Sequence, residues 1–114
     1  MPPKRNPLNL NPLQLKTLTL LQELATLVGT PAPEDAGGIA ISEFPHPHGD
    51  HFHLGEAVVA ARDATGLRNP AVWAALQRKG LVRPKQDAMI LTSLGQHYDT
   101  GMHDAILHRA QPHS

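Results

Sequence analysis

Apolar positions repeat at helical spacing near the start of this chain and fall into shorter runs further on. Leu13, Leu20, Leu24, Leu27 and Val28 form one stripe, and Leu15, Leu18 and Leu21 widen it well past a single face. A helix this apolar has to be buried on more than one side, by its own core or by a second subunit. Its ends are marked. Asn11 is an expected N-cap with Pro12 as the first helical residue, and Gly29 with Pro31 beyond it is an expected stop near residue 28. Residues 1–10, rich in Pro and Asn, read as a flexible arm, residues 11–110 as one domain and residues 111–114 as a frayed tail.

Residues 30–38 read as a loop. Residues 38–44 read as a short strand, with residues 51–54 as its expected partner. Ala57, Val58, Ala61 and Ala64 fall at i, i+3, i+4 spacing, which predicts a helix over 55–65 ended by Gly66. Asn69-Pro70 repeats the cap-then-proline pattern. It opens a helix that holds Val72, Trp73 and Leu76 and stops at Gly80. Residues 81–83 start a strand, 84–87 are turn material, and 88–92 return. Residues 93–109 read as mostly helical with a break at Gly101. The expected class is α+β, mostly helical with a small antiparallel β-hairpin. Two helices joined by a short turn and followed by a hairpin make a winged helix-turn-helix.

Three stretches sharpen this. They are Ala64-Thr65-Gly66-Leu67, then Trp73-x-x-Leu76-x-x-x-Gly80-Leu81-Val82, then Leu91-Thr92-Ser93-Leu94-Gly95. In order and spacing they resemble the winged-helix domains of bacterial transcription regulators of the MarR-like and PadR-like groups. The resemblance covers residues 54–98, and the first helix extends it to about residue 12. It implies a recognition helix at about 69–79 in the major groove of duplex DNA and a wing at about 82–92 on the backbone. Carried over by position, the candidate DNA-contacting residues are Arg68, Asn69, Ala71, Ala74, Ala75, Arg78 and Lys79 on the helix. Arg83, Lys85 and Gln86 are the candidates on the wing. Arg68 could read guanine and Asn69 adenine, but three alanines on the outer face make a poor code.

Charge agrees with the placement. Lys plus Arg and Asp plus Glu each number 10, so the chain is neutral overall. Residues 23–56 nevertheless carry six acids and no Lys or Arg, whereas residues 62–85 carry six basic residues against Asp63. A local basic field of this kind steers a polyanion. Cysteine is absent, which removes disulfides, thiolate–zinc sites and thiol nucleophiles. Aromatic residues are 4% of the chain, too few for single-strand binding by base stacking. No apolar run approaches the ~18 residues of a membrane span, and no signal-like segment follows the start, so the expected location is cytoplasmic.

The run His46-Pro47-His48-Gly49-Asp50-His51-Phe52-His53 is the most unusual segment. A two-residue turn at Gly49-Asp50 would set His48 opposite His51 and His46 opposite His53, with all four imidazoles on one face. Zinc or another divalent transition metal suits such ligands, and clustered imidazoles also suit a pH-sensitive patch. The letters resemble the H-x-H-x-D-H of metallo-β-lactamase-type hydrolases. That fold needs roughly twice this length and further ligand strands with no counterpart here. No nucleophile elbow or phosphate loop is present. The expectation is a non-enzymatic, homodimeric transcriptional regulator that binds double-stranded DNA and requires no cofactor. The competing expectation is a protein-interaction or dimerisation module, metal- or pH-responsive through residues 46–53.

Overall fold

The computed structural model describes residues 6–32, 35–46 and 49–109. The chain is a compact α+β domain. Its elements are α1 (Pro12–Val28), β1 (Thr30–Pro31), β2 (Ile39–Ile41), β3 (His51–Leu54), β4 (Ala57–Ala60) and a 3₁₀ segment (Ala61–Arg68). Then follow α2 (Pro70–Arg78), β5 (Val82–Lys85), β6 (Ala88–Leu91), α3 (Ser93–His97), α4 (His103–Ile106) and β7 (His108–Arg109). Two antiparallel sheets form, ordered β1-β2-β6-β5 and β3-β4-β7, which is more sheet than the two expected strand pairs.

Helix α1 is the centre. Asn11 caps it, accepting from Gln14 N at 2.8 Å while the Gln14 side chain accepts from Asn11 N, a reciprocal capping box. Leu18, Leu20 and Leu21 are completely buried, and so are Thr17 and Thr19. The multi-sided burial expected from the sequence is thus met within one chain, since the 3₁₀ segment, α2, α3, β2, β3 and β6 all pack on α1. Each buried threonine donates its hydroxyl to the carbonyl four residues back, and Thr19 also meets Thr100 at 2.6 Å. A buried hydroxyl without such a partner would cost about 1–3 kcal/mol.

Several expectations are corrected. Residues 55–65 do not form one helix. The hairpin β3–β4 turns at Gly55-Glu56, with Gly55 at φ +57, and pairs Leu54 with Ala57 and Phe52 with Val59. Those four residues are buried, so over this stretch the governing period is two. The helical remainder is the 3₁₀ segment. It follows that residues 51–54 are not the partner of the strand near 38–44. Strand β2 instead pairs with β1 and β6, setting Ile39 against Leu91 and Ile41 against Met89. Residues 93–109 hold two short helices and a strand, separated around Gly101 at φ +66. Residues 6–10 are docked, which the flexible-arm reading missed. Leu10 is buried, Asn6 Oδ1 accepts from Leu10 N and Tyr98 Oη, and Leu8 N donates to Tyr98 Oη. Residues 1–5 and 111–114 lie outside the described residues.

The expected punctuation after α2 does form. Gly80 takes φ +76 and turns the chain into β5. Thr92 caps α3 by accepting from Gly95 N at 3.1 Å and donates to Gly80 O at 2.7 Å, tying the two helix ends together. Among the described residues, no helix is long and apolar enough to cross a membrane.

The 3₁₀ segment packs tightly on α1 at Gly66. A Cβ there would lie 1.9 Å from Thr17 Oγ1, and Thr17 is fully buried. Gly66→Ala is expected to destabilise by about 1–3 kcal/mol as forced overpacking. Thermal or urea unfolding measures it, and an unchanged midpoint would contradict the tight packing.

Candidate nucleic-acid interface

Helix α2 begins at a side-chain cap. Asn69 Oδ1 accepts from Ala71 N at 3.0 Å, and Pro70 occupies the first turn, where its missing N–H costs nothing. The helix buries Val72, Ala75 and Leu76. Trp73 is half-buried, donates Nε1–H to Leu67 O at 2.9 Å, and meets Phe44 edge-on at 6.0 Å. These contacts fix the rotation of α2 and leave Pro70, Ala71, Ala74, Gln77 and Arg78 exposed.

The structure therefore divides the expected DNA-facing set. Arg68, Ala71, Ala74 and Arg78 are exposed, as are Lys85 and, in the β5–β6 turn, Gln86. Ala75 is corrected: it is 4% exposed and faces the core, one turn from Val72. Asn69 is engaged as the cap. Lys79 is half-buried and donates to Leu8 O at 2.6 Å, so it anchors the N-terminal segment. Arg83 Nε lies 3.1 Å from Asp35 Oδ2. Two exposed residues were missed. Gln77 is exposed three positions after Ala74, a spacing visible in the sequence. Arg62 projects from the 3₁₀ segment; its neighbour Asp63 is neutralised by Lys16 at 2.8 Å, where α1 meets that segment. Arg62, Arg68 and Arg78 have no ion pair or hydrogen bond within the described residues.

The histidine run departs from its expected geometry. His51 and His53 lie on β3 and face outward together, with ring centroids 5.3 Å apart. Opposite them stand Ala60 and Val58 of β4, not further histidines. His46 is exposed in an irregular segment, so its expected pairing with His53 is corrected, and His48 lies outside the described residues. The reason is the turn at Gly55, which gives β3 a closer partner downstream. His108 shares this outer face, because β7 sets it opposite Val58. Among the described residues no group of three His, Asp or Glu side chains is placed to hold a metal ion. Asp50, fully exposed, accepts from the His51 ring at 3.2 Å, which holds its carboxyl below the usual range.

No family model, curated protein or solved structure matches this chain.

The Asn69 cap yields a test that separates support from recognition. Asn69→Ala is expected to lower stability by about 1 kcal/mol through the uncapped α2 N-terminus. Denaturant melts read it directly. An effect near zero would mean that the cap does not hold α2 in solution.

Proposed function

We propose that this chain is a winged-helix protein that binds duplex DNA, with α2 as the helix entering the major groove and the β5–β6 hairpin as the wing. The observation that carries the reading is the order of elements around the sheet. Helix α1, strand β2, two helical segments and then β5–β6 come in chain order, and β6 lies between β2 and β5. That is how a wing hairpin is joined to a helix-turn-helix, with β3–β4 as an insertion before the 3₁₀ segment. Arginines 62, 68 and 78, exposed and without an ion pair or hydrogen bond among the described residues, support it, since Arg68 precedes α2, Arg78 ends it and Arg62 lies on the 3₁₀ segment before it.

The reading favours affinity over sequence discrimination. Asn69 and Ala75, two of the expected base readers, are engaged elsewhere. Ala71, Ala74 and Gln77 remain for base edges: alanine can touch a thymine methyl, and Gln77 could pair with adenine. Arg62, Arg68, Arg78 and Lys85 are the phosphate contacts, and contacts of that kind carry no sequence information by themselves.

About four phosphate contacts imply a fall in affinity of about a hundred-fold between about 50 and about 200 mM salt. Fluorescence anisotropy on random duplex DNA measures it. Arg68→Ala and Arg78→Ala are each expected to weaken binding to all sequences and to lower the salt slope by about 1. No binding at low salt would reject the reading. That outcome would move the function to a non-enzymatic protein-interaction module, whereas DNA binding unaffected by the double substitution would put the contact away from α2. The exposed alanines of α2 are what favour that second reading, because a smooth small-residue face also suits protein packing.

A homodimer belongs to the same proposal, since two recognition helices about one DNA turn apart would match a palindromic site. Ile106 and Leu107 of the C-terminal segment are buried in the chain's own core and are not available for the contact. Among the described residues Leu27 and Val28 at the end of α1, 43% and 38% exposed, and Leu94 in α3, 51% exposed, are the large apolar residues left at the surface, and the α1 pair is the one proposed to form it. Light scattering is expected to give twice the chain mass, with Leu27→Glu restoring the monomer. A monomer for the unmodified chain at every concentration removes this part.

A further inference from the structure

A cavity of about 420 Å³ opens between α1, β2 and the α3–α4 segment, and none of its lining residues belongs to the proposed DNA face. Its volume falls in the range of small-molecule sites, ~300–1,000 Å³. What distinguishes it is the hydrogen-bonding capacity left in its walls.

The donors are nearly all engaged. Gln22 Nε2 donates to Gly95 O at 2.9 Å and to Tyr98 O at 2.8 Å. Gln96 Nε2 donates to Gly37 O at 2.5 Å and to Leu91 O at 3.0 Å. Carbonyl oxygens only accept, so these contacts fix which end of each amide is nitrogen and use both of its N–H groups. The Thr26 hydroxyl donates to Gln22 O, and the Tyr98 hydroxyl donates to Asn6. His97 Nδ1 lies 2.8 Å from Ser93 O, and a carbonyl only accepts, so Nδ1 is the donor there. Of the lining side chains, His97 through Nε2 and His103 have ring nitrogens not engaged within the described residues.

The acceptors remain. Gln22 Oε1 and Gln96 Oε1 have no hydrogen-bond partner within the described residues, and neither is sealed from solvent. The same holds for Glu23 Oε1, whose sister oxygen accepts from Arg109 at 2.5 Å. Ala25, Ile39 and the ring of Tyr98 supply an apolar wall. Both glutamines are clamped at their nitrogen ends, so their oxygens are held in place before any ligand arrives.

We infer that this cavity binds a small organic cation whose charge sits on N–H donors, a primary ammonium or an amidinium, with its apolar body against Tyr98 and Ile39. Such a group meets a carboxylate oxygen and two amide oxygens through charge-assisted hydrogen bonds. A carboxylate ligand would meet acceptors that repel it. A transition metal is not favoured either, because no three suitable ligands converge among the described residues.

The test uses the full chain and fragment probes, and it does not depend on DNA binding. Benzylamine and benzamidine are titrated against the labelled protein by NMR, with benzoate as the anionic control. Saturable shifts are expected at the backbone amides of residues 22–26 and 96–103, with a dissociation constant on the order of 1 mM for fragments of this size. Glu23→Gln should weaken both amines about tenfold. Thr26→Phe, at an exposed lining position away from both clamps, should abolish binding with the rest of the spectrum unchanged. The inference is overturned if benzoate binds as well as benzylamine, if the shifts fail to saturate, or if they map elsewhere. It also falls if neither substitution alters amine affinity.

Discussion

The constraint on which the rest of this fold depends is that α1 has no face to give to water along most of its length. Leu18, Leu20, Leu21 and Leu24 point to different sides of the helix and are all buried. A single sheet covers one side only, so a second layer has to come from elsewhere in the chain. Here it comes from splitting the strands into two sheets and packing the 3₁₀ segment on α1 at Gly66. The buried hydroxyls of Thr17 and Thr19 belong to the same solution. Helix backbone satisfies them locally, and a smaller side chain than leucine lets neighbouring elements come close.

That wrapping decides what α2 shows to its surroundings. Its inner face, Val72, Ala75 and Leu76, is fixed by the core, and Trp73 is fixed by Leu67 and Phe44. The exposed face is then whatever remains at helical spacing. It holds small residues with Gln77 and Arg78 at one end and Arg68 just before the helix. The chain has thereby separated two tasks. The cap residue Asn69 and the anchor residue Lys79 hold the helix, and their neighbours are left for contact.

Local chemistry was legible from the sequence, and long-range pairing was not. Asn11, Asn69 and Gly80 act where they were expected because a cap or a left-handed turn is decided within a few residues. The misreading of residues 55–65 has a definite cause. Ala57, Val58, Ala61 and Ala64 satisfy a helical spacing, yet four residues cannot distinguish that from alternation once Gly55 offers a tight turn. The error then spread, since taking β4 as a helix left β3 without its partner and assigned it to β2. The true partner of β2 lies some fifty positions away in β6, and nothing local in the sequence names it. The same limit governed the histidines. The i, i+2 relation of His51 and His53 followed from strand geometry alone, whereas the place of His108 on that face depends on β7 joining the sheet.

Charge counting met the limit in another form. A count along the chain treats every basic residue between 62 and 85 as available, but folding brings distant acceptors to some of them. Asp35 reaches Arg83 and the carbonyl of Leu8 reaches Lys79. Neither engagement removes the basic field, because Lys79 keeps its charge against a neutral carbonyl and the Arg83 side chain, 63% exposed, stays open to solvent. What changes is geometry. An arginine whose Nε is held by a carboxylate keeps its other N–H groups but has less freedom to turn them to a base edge, so such contacts limit reach more than attraction. On the proposed reading, such a surface would attract a polyanion while having few side chains left to tell one sequence from another. Any preference it has would therefore fall to Gln77, the two exposed alanines and the shape of the groove itself.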